Sequence, residues 1–391
     1  MTAAAASLES LPFGSVVTWD VEPGAYCSAH ERETRAHFAR RLAALKGYAY
    51  AGDCGGRAGP SLCADAPRTY GGHVYFVPSG TVTDPVRARA MGIAGADDLF
   101  GGVVEFAFVA TKAITHPLPD AGAARPAGWS TQFGAAVAGA VLAGFSAFSP
   151  DEARRAGRRL LEAGAVRVKP VRATGGRGQT VAHDTAELDR QLDALDAGEL
   201  AAHGVVLEEN LRDPDTFSVG QVVVDELTVS YHGRQRMTRD NAGLAVYGGS
   251  DLMLARGGFD DLLAARDLSA PLRAAIDQAR RYHQAVREGF PGFFSSRVNY
   301  DVAQGRNAAG HWRSGVLEQS WRVGGATGAE IAALEVFRRA PERRAVRAST
   351  FEVYGAAMVP PQAIVAYRGE DPELGSLAKY ALIQNHDSDT T

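Results

Sequence analysis

The segment Ala165–Gln179 (AVRVKPVRATGGRGQ) constrains the fold more than any other part of the sequence. Val166 and Val168 alternate with polar residues, which predicts a strand with one buried face and one face turned toward a ligand. Lys169 is expected to project from the polar face, close to the end of this strand. A lysine in this position, followed by a glycine-rich turn, suits the binding of nucleotide phosphates.

The turn that follows Lys169 is the second half of this pattern. Pro170 cannot donate a hydrogen bond to a sheet, which places it near the strand end. Glycine reaches positive φ at little cost and brings no Cβ, so consecutive backbone N–H groups of the loop 174–178 can face an anion. ATP is therefore the leading ligand expected from the segment. The alternative interpretation is an ordinary solvent-exposed β-turn between two strands.

Further along the chain, apolar runs that end in polar residues follow one another. A helix is predicted over Thr185–Leu195, because its leucines have helical spacing. Strands are predicted over Gly204–Leu207, which leads into two acids, and over Phe217–Val224. Two more strand-like segments, Ser296–Val302 and Gly315–Gly325, are joined by a polar turn, and both contain polar side chains able to bind a ligand.

These motifs together resemble a known family. The succession RVKPVRATGGRGQ, VVLEENL, DTFSVGQVVVDE, SRVNYDV and VLEQSWRVGG resembles the ATP-grasp superfamily, in which a nucleotide lies between two α+β subdomains. The resemblance runs from about residue 106 to about residue 336. It implies an α/β chain of α+β subdomains, with an ATP-grasp fold preceded by an N-terminal α/β pre-ATP-grasp domain. The implied boundaries are 1–105 for the N-terminal domain, 106–345 for the ATP-grasp domain with its lid at about 146–206, and 346–391 for a C-terminal extension.

The resemblance also implies a nucleotide site. Lys112 and Lys169 correspond to the lysines that contact the phosphates, and the loop 174–178 to the flap that closes over them. Glu208 begins the hinge whose first acid accepts a hydrogen bond from the adenine amino group. Thr216 stands where the family commonly has a ribose-binding glutamate, and Asp215 beside it is the expected substitute. The nucleotide-binding residues implied in this way are Lys112, Lys169, Thr174, Gly175, Gly176, Gly178, Glu208, Glu209, Leu211, Asp215 and Thr216.

A magnesium site is expected on the last two predicted strands, because Mg²⁺ prefers hard oxygen ligands and keeps positions for water and phosphate oxygens. The family usually has one acid on the first strand and an acid-x-asparagine pair on the second. The corresponding residues here are Asn299, Glu318 and Ser320. Asp301 lies two residues past Asn299, and therefore on the same strand face, where it can replace the absent carboxylate. The expected cofactors are ATP and Mg²⁺.

Two arginines and one polar segment are the remaining site candidates. Arg297 resembles the arginine that steadies the transferring phosphate, and Arg322 stands where related ligases bind the carboxylate of the acceptor. An Arg fork suits a planar anion, although a surface arginine in a glycine-rich loop is the alternative. In the segment 231–251, which is equally consistent with a solvated loop, the substrate candidates are Arg236, Gly248, Gly249 and Ser250.

The reaction expected from the resemblance is that of an ADP-forming carboxylate–amine ligase. The γ-phosphate passes to a substrate carboxylate, and an amine or another nucleophile then displaces the acyl-phosphate. The expected partners are therefore small-molecule carboxylate and amine substrates, and a homodimer is left open. The alternatives are a small-molecule kinase on the same scaffold and a non-catalytic ATP- or ADP-binding protein.

Composition excludes several other classes of protein. A formal net charge of −4 and a pI near 6.2 give no electrostatic basis for binding nucleic acid. The most apolar stretch, Phe133–Phe148, is shorter than the roughly 18 residues of a membrane span and predicts a buried helix instead. The N-terminus lacks the pattern of a secretory signal. Cys27, Cys54 and Cys63 form no disulfide-like pattern, which favours a cytoplasmic location.

Overall fold

The computed structural model describes residues 13–22, 26–54, 70, 72–172, 178–356 and 358–384. The predicted nucleotide-binding residues Thr174, Gly175 and Gly176 lie outside these ranges. The described strands, in chain order, are β1 (Gly14–Trp19), β2 (Ala49–Asp53), β3 (His73–Pro78), β4 (Gly102–Val103), β5 (Gly144–Ala147), β6 (Val166–Pro170), β7 (Thr180–Ala182), β8 (Val205–Glu209), β9 (Arg212–Val224), β10 (Leu227–Arg239), β11 (Ala245–Arg256), β12 (Phe294–Ser295), β13 (Arg297–Arg306), β14 (Trp312–Ser320), β15 (Ala345–Tyr354), β16 (Ile364–Asp371) and β17 (Gly375–Gln384). The described α-helices are α1 (Ala29–Lys46), α2 (Pro85–Ala90), α3 (Thr131–Val137), α4 (Pro150–Leu161), α5 (Thr185–Asp193), α6 (Ala197–His203), α7 (Phe259–Leu263), α8 (Ala270–Gly289) and α9 (Thr327–Arg339).

The N-terminal part contains a small parallel sheet with the strand order β2-β1-β3. Every residue of β1 is buried, as is usual for a parallel strand covered on both faces. Helix α1 begins after the carboxyl end of β1, where Ser28 and Glu31 form a reciprocal capping box. Ligands of open α/β sheets bind at the carboxyl ends of the strands. The start of α1 therefore lies at the edge of this sheet that is suited to a ligand.

A second sheet, with the order β5-β8-β6-β7, forms the lid. The predicted strand with Lys169 is confirmed as β6, and the predicted helix from Thr185 is confirmed as α5, which ends at Asp193. The lid has its own apolar core, made by one face of the sheet and by helices α4, α5 and α6. The buried members of this core include Val166, Val168, Leu188, Leu192, Leu200 and Leu207.

The expected buried helix over Phe133–Phe148 is wrong for most of its length. Helix α3 ends at Val137, and β5 of the lid sheet begins at Gly144. A Cβ on Gly144 would lie 2.7 Å from the carbonyl oxygen of Leu207, so glycine is needed for the close pairing of β5 with β8. Sheet pairing, which a single-sequence pattern does not reveal, therefore decides the structure of this segment.

The third sheet is the largest and has eight antiparallel strands in the order β14-β13-β9-β10-β11-β15-β17-β16. Strand β15 pairs directly with β11, with Ser349 opposite Asp251. The residues treated as a C-terminal extension therefore continue this sheet as far as Gln384, and the boundary at 345/346 falls inside β15. Helices α1 and α9 pack together on one apolar core of the sheet, and α8 packs on another.

Across the described ranges, no helix combines the length and the apolar character that a bilayer span requires.

Candidate functional site

A cavity of about 540 Å³ lies between the lid sheet, the large sheet, α1 and the loop that precedes α9. Eleven of the predicted site residues contribute to its lining. They come from the lid, from three adjacent strands of the large sheet and from the loop before α9: Lys169, Glu208, Glu209, Leu211, Thr216, Arg297, Asn299, Asp301, Glu318, Ser320 and Arg322. The structure therefore brings together most of the residues that the sequence resemblance pointed to.

The four predicted metal ligands form two cross-strand pairs on β13 and β14. Asp301 lies opposite Glu318, and Asn299 lies opposite Ser320. Because side chains two residues apart share a strand face, all four lie on the face toward the cavity. Among the described residues, no group of three or more His, Cys, Asp or Glu side chains is arranged to hold a metal ion. A metal here would rest on two carboxylates and two neutral oxygens, together with oxygens of a nucleotide.

The two carboxylates differ in their electrostatic surroundings. Burial, and then the neighbouring charge of Glu318, raise the pKa of Asp301 to about 6. The side-chain amide of Asn299 donates to Asp301 over 2.9 Å and opposes this shift. Burial alone would raise the pKa of Glu318, but the charge and hydrogen bond of Lys112, together with the charges of Lys169 and Arg322, outweigh burial and hold that pKa below its usual value. Glu318 is therefore the more firmly ionised of the pair.

Lys112 lies on a short 3₁₀ turn, Lys112–Thr115, and is buried behind the lining of the cavity. Its Nζ lies 2.7 Å from Oε2 of Glu318. The turn is held against the large sheet by Gln319, whose side chain donates to the carbonyl oxygens of Val109 and Thr111 over 2.8 and 2.7 Å. Lys112 therefore neutralises the carboxylate that is expected to bind the metal.

Lys169 is held on the lid side by a chain of three buried polar groups. Its Nζ lies 2.5 Å from Oε1 of Glu208, and Nε2 of His116 lies 2.9 Å from Oε2 of the same carboxylate. Burial lowers the pKa of Lys169, while the charge of Glu208 opposes this shift. Burial also favours neutral Glu208, but Lys169 and His116 outweigh it and lower the pKa of Glu208 to about 2. Both oxygens of Glu208, which was expected to meet the adenine amino group, already accept from protein groups.

His116 was not predicted as part of the site, because one histidine four residues after Lys112 gives no pattern in the sequence. Its ring is fully buried, and Nδ1 has no hydrogen-bond partner in the part of the chain that the structure describes. Because a carboxylate only accepts, Nε2 carries the proton in the contact with Glu208.

Arg297 forms a buried ion pair with Glu330 of α9. Its Nη2 lies 2.8 Å from Oε1 of Glu330, and its Nη1 donates to the carbonyl oxygens of Ser320 and Arg322 over 3.1 and 2.7 Å. Desolvation of the guanidinium is outweighed by Glu330, which raises the pKa of Arg297. Arg297 thus fixes the chain between β14 and α9, and its predicted contact with a phosphate stays a prediction. Glu330 is an acid within the otherwise apolar run of α9, and this position is the feature of the sequence that could have indicated a buried ion pair.

In the sequence, Arg322 follows Glu318 and Ser320, two of the residues predicted to bind a metal. Its guanidinium lies over the ring of Tyr26, 4.0 Å from the ring centroid, and its Nη1 donates to the carbonyl oxygen of Val323 over 2.8 Å. Its charge contributes to lowering the pKa of Glu318, after the charges of Lys112 and Lys169. Tyr26, which the sequence did not single out, has a left-handed backbone with φ of 56°.

Several predicted residues lie outside the lining of the cavity. Arg236 donates to Oδ1 of Asp251 and to the carbonyl oxygen of Thr350, and Asp215 pairs with Arg234 at the surface. Gly178 has a left-handed backbone with φ of 67° and lies near Val168 and Thr180, outside the cavity. The residues in this group are Lys112, Gly178, Asp215, Arg236, Gly248, Gly249 and Ser250, and their predicted contacts with ligands stay predictions.

Comparison with known proteins identifies the fold. A family model described as "Protein of unknown function (DUF3182)" matches residues 17–381. No curated protein sequence matches the chain. The biotin carboxylase domain of 2-oxoglutarate carboxylase from Hydrogenobacter thermophilus, solved with MgADP, ADP and bicarbonate, matches with a TM-score of 0.53 and 14% identity, covering 95% of this chain and 86% of that one. Carboxyaminoimidazole ribonucleotide synthase from Aspergillus clavatus, solved with ATP, matches with a TM-score of 0.51 and 11% identity, covering 95% and 93%. The predicted ATP-grasp fold of the α/β class is confirmed.

Proposed function

The chain belongs to the DUF3182 family and has an ATP-grasp fold, and we propose that it is an ATP-dependent, ADP-forming ligase that activates a substrate carboxylate. The γ-phosphate of ATP passes to the carboxylate, and an amine or another nucleophile displaces phosphate from the acyl-phosphate. One observation carries the proposal. Two buried lysines and Arg322 act on a cross-strand pair of carboxylates, Asp301 and Glu318, in the cavity lining: Lys112 pairs with Glu318, and Lys169 and Arg322 line the same cavity.

The nucleotide is proposed to lie between the lid and β13–β14. Lys169 comes from strand β6 of the lid, and Lys112 comes from the 3₁₀ turn that contacts Glu318 of β14. A polyphosphate that reaches both lysines is therefore held by two separate elements. Transfer of a phosphoryl group depends mainly on positioning and on neutralising charge, which is what fixed lysines provide. Both lysines are at present paired with carboxylates, and a nucleotide has to draw them toward its phosphates.

The residues present fit a divalent cation that is bound together with a nucleotide. Asp301 and Glu318 supply two hard carboxylate oxygens on one face, and Asn299 and Ser320 supply neutral oxygens beside them. Mg²⁺ bound there would neutralise charge on the phosphate oxygens. The mutual repulsion that raises the pKa of Asp301 would be relieved by such a cation.

The acceptor is proposed to bind through Arg322. No carboxylate lies within 4.0 Å of its guanidinium in the described ranges, and a bidentate Arg–carboxylate pair is a strong and oriented interaction. Small-molecule carboxylates and amines are the proposed substrates, and a cytoplasmic location is proposed from the cysteine pattern of the sequence.

A second candidate is a nucleotide-binding protein without turnover. Asn299 and Ser320 favour it, because they stand where the family usually has an acid and an asparagine. The two candidates differ in one measurable respect, since only the ligase releases ADP when its substrates are supplied.

The test is nucleotide turnover by the purified protein with Mg·ATP and pooled carboxylates and amines, with ADP resolved from AMP. Lys169→Ala and Glu318→Ala should each abolish substrate-dependent ADP release, because they remove a phosphate contact and a metal ligand. Asp260→Ala, which removes an exposed carboxylate on α7, serves as the control. Nucleotide binding without ADP release would favour the second candidate. A stable phosphorylated product formed without an amine would indicate a kinase.

A further inference from the structure

The cavity continues past the carboxylate pair into a second region, which we name the acceptor compartment. It is lined by Arg322, Tyr247, Phe351, Tyr354 and Tyr380. These residues come from the loop before α9, from β11 and from the C-terminal strands β15 and β17. None of them belongs to the lid or to β13, so this region is separate from the parts that are proposed to hold the nucleotide.

The cationic end of the acceptor compartment is Arg322. Its guanidinium is oriented by the ring of Tyr26, whose carbonyl oxygen accepts from Nη1 of Arg35 over 3.0 Å. The left-handed backbone of Tyr26 is uncommon for a residue other than glycine, and such conformations cluster at functional sites. The plane of Arg322 is therefore fixed by contacts that leave it without a carboxylate partner in the described ranges.

The opposite wall of the compartment is aromatic and begins directly beside Arg322. Gly324 lies against Nη1 of Arg322, since a Cβ there would be 3.8 Å from that atom. The next residue, Gly325, lies against Tyr247, and a Cβ there would be only 2.4 Å from the ring. A glycine at 325 is therefore required for this approach of the loop to the ring. The guanidinium of Arg322 and the ring of Tyr247 thus lie against two consecutive residues of the same loop, Gly324 and Gly325.

The rings of this wall are held in place before any ligand binds. The hydroxyl of Tyr247 is 2.7 Å from Oγ of Ser250 and 3.4 Å from Oγ1 of Thr350. The rings of Phe351 and Tyr380 are stacked, with centroids 4.7 Å apart and planes 11° apart. Fixed aromatic side chains bind flat apolar groups with little loss of conformational freedom.

The remaining charges at this wall cancel. Lys379 and Glu352 form an ion pair with an N–O distance of 3.2 Å. Arg236 lies over Phe351, 4.3 Å from the ring centroid, but does not line the cavity. Lys379 and Glu352 therefore add no net charge to the wall, and the guanidinium beside it is that of Arg322.

We propose that the acceptor compartment binds a carboxylate substrate with an aromatic body, with its carboxylate on Arg322 and its ring against Tyr247, Phe351 and Tyr380. This assignment rests on the proposed ligase function, whose acceptor class it names. The carboxylate end then lies beside Glu318, close to the expected position of the transferring phosphate. Short aliphatic carboxylates leave the aromatic wall uncovered and bind weakly.

The test measures binding rather than turnover, so that it does not depend on knowing the nucleophile. The full-length protein is saturated with Mg²⁺ and a non-hydrolysable ATP analogue. Binding of 3-phenylpropionate and of propionate, which share a carboxylate and differ in the ring, is then followed by calorimetry. We expect 3-phenylpropionate to bind roughly tenfold more tightly or better, because the burial of an aromatic ring supplies at least that ratio.

Four variants locate the interaction. Tyr247→Leu and Phe351→Leu should each reduce the preference for the aromatic probe without changing the affinity for the nucleotide analogue. Arg322→Gln should abolish the binding of both probes. Trp312→Leu removes a half-exposed aromatic side chain that does not line the cavity and should change nothing, which controls for non-specific contact with rings. Melting temperatures establish that each variant is folded.

Equal affinity for both probes would overturn the aromatic assignment, as would failure of both to bind to the nucleotide-loaded protein. A preference that survives both leucine substitutions would overturn it too. These outcomes differ from failure of the proposed function, which would appear as absence of substrate-dependent ADP release from Mg·ATP although the nucleotide analogue and the aromatic probe both bind.

Discussion

Replacement of His116 by leucine tests the buried chain His116–Glu208–Lys169 directly. In the structure the histidine donates from Nε2 to a carboxylate that is almost fully buried and that also holds Lys169. Leucine has a similar volume but no donor. One oxygen of Glu208 would lose its partner, and the pKa of Glu208 would rise, because a contact that stabilises the charged form is gone.

The magnitude follows from the kind of hydrogen bond that is lost. Leaving a buried polar group without its partner costs roughly 1–3 kcal/mol, and more when the group is charged. A free energy of that size corresponds to about 5- to 150-fold in an equilibrium constant. We expect the loss to be divided between the free energy of unfolding and the affinity for ATP, because Glu208 without its second partner is held less firmly and positions Lys169 less well.

His116→Gln is the matched rescue, since the side-chain amide of glutamine can donate from near the position of Nε2. His283→Gln is the control at a distant site. His283 is also largely buried, which lowers its pKa to about 4, but it contacts Tyr300 under α8 instead of the lid. The assays are calorimetric titration with a non-hydrolysable ATP analogue and unfolding in urea.

Two results would refute the reasoning on His116. One is a leucine variant that binds the nucleotide analogue as tightly as the wild-type protein. The other is a glutamine variant as impaired as the leucine variant, because the donor would then be irrelevant. A general loss of packing, in contrast, would lower the stability of the His283 variant and the His116 variants alike.

Three further predictions concern the charged residues Asp301, Lys112 and Glu330. The pKa of Asp301 is raised from 3.8 to about 6, so the folded protein holds a proton that the unfolded chain releases over this interval. Asp301→Asn should therefore raise the melting temperature of the metal-free protein above pH 6 and flatten the pH dependence of that temperature between pH 4 and 6. The same substitution should weaken the binding of Mg·nucleotide. An unchanged dependence of the melting temperature on pH would contradict this prediction. Lys112→Met should raise the pKa of Glu318 and weaken binding of the ATP analogue by roughly tenfold in calorimetry, as expected for about 1.4 kcal/mol from a charged contact. Glu330→Gln should lower the free energy of unfolding by about 3–5 kcal/mol in urea, because it leaves the charge of Arg297 buried and unpaired.

The parts of the site that depend on local periodicity could be predicted from the sequence. The alternation before Lys169 defines strand β6 and the side on which the lysine lies. The period of two also places Asn299 and Asp301 on one face of β13, and the same holds for Glu318 and Ser320 on β14. These expectations needed only the length of each strand and the side on which it is buried.

The partners of the charged groups could not be predicted in this way. Glu208 and His116 are 92 residues apart in the sequence, and Arg297 and Glu330 are 33 apart. Each contact joins different elements, so its existence depends on how a sheet packs against a turn or a helix. The pairing of β11 with β15, which makes the C-terminal residues part of the large sheet, is also a long-range feature.

The neutral residues at the expected metal site are explained by the balance of charge. In the structure, Lys112 neutralises the charge of Glu318. Asp301 pairs with no lysine among the described residues, and its pKa is raised. A third carboxylate at position 299 would add to this repulsion and would lack a cation. In the proposed complex, a nucleotide that drew Lys112 toward its phosphates would take the counter-charge from Glu318, and a divalent cation would replace it. The departure from the family pattern is therefore consistent with a divalent ion that arrives with the nucleotide, and it argues against a site that binds metal tightly beforehand.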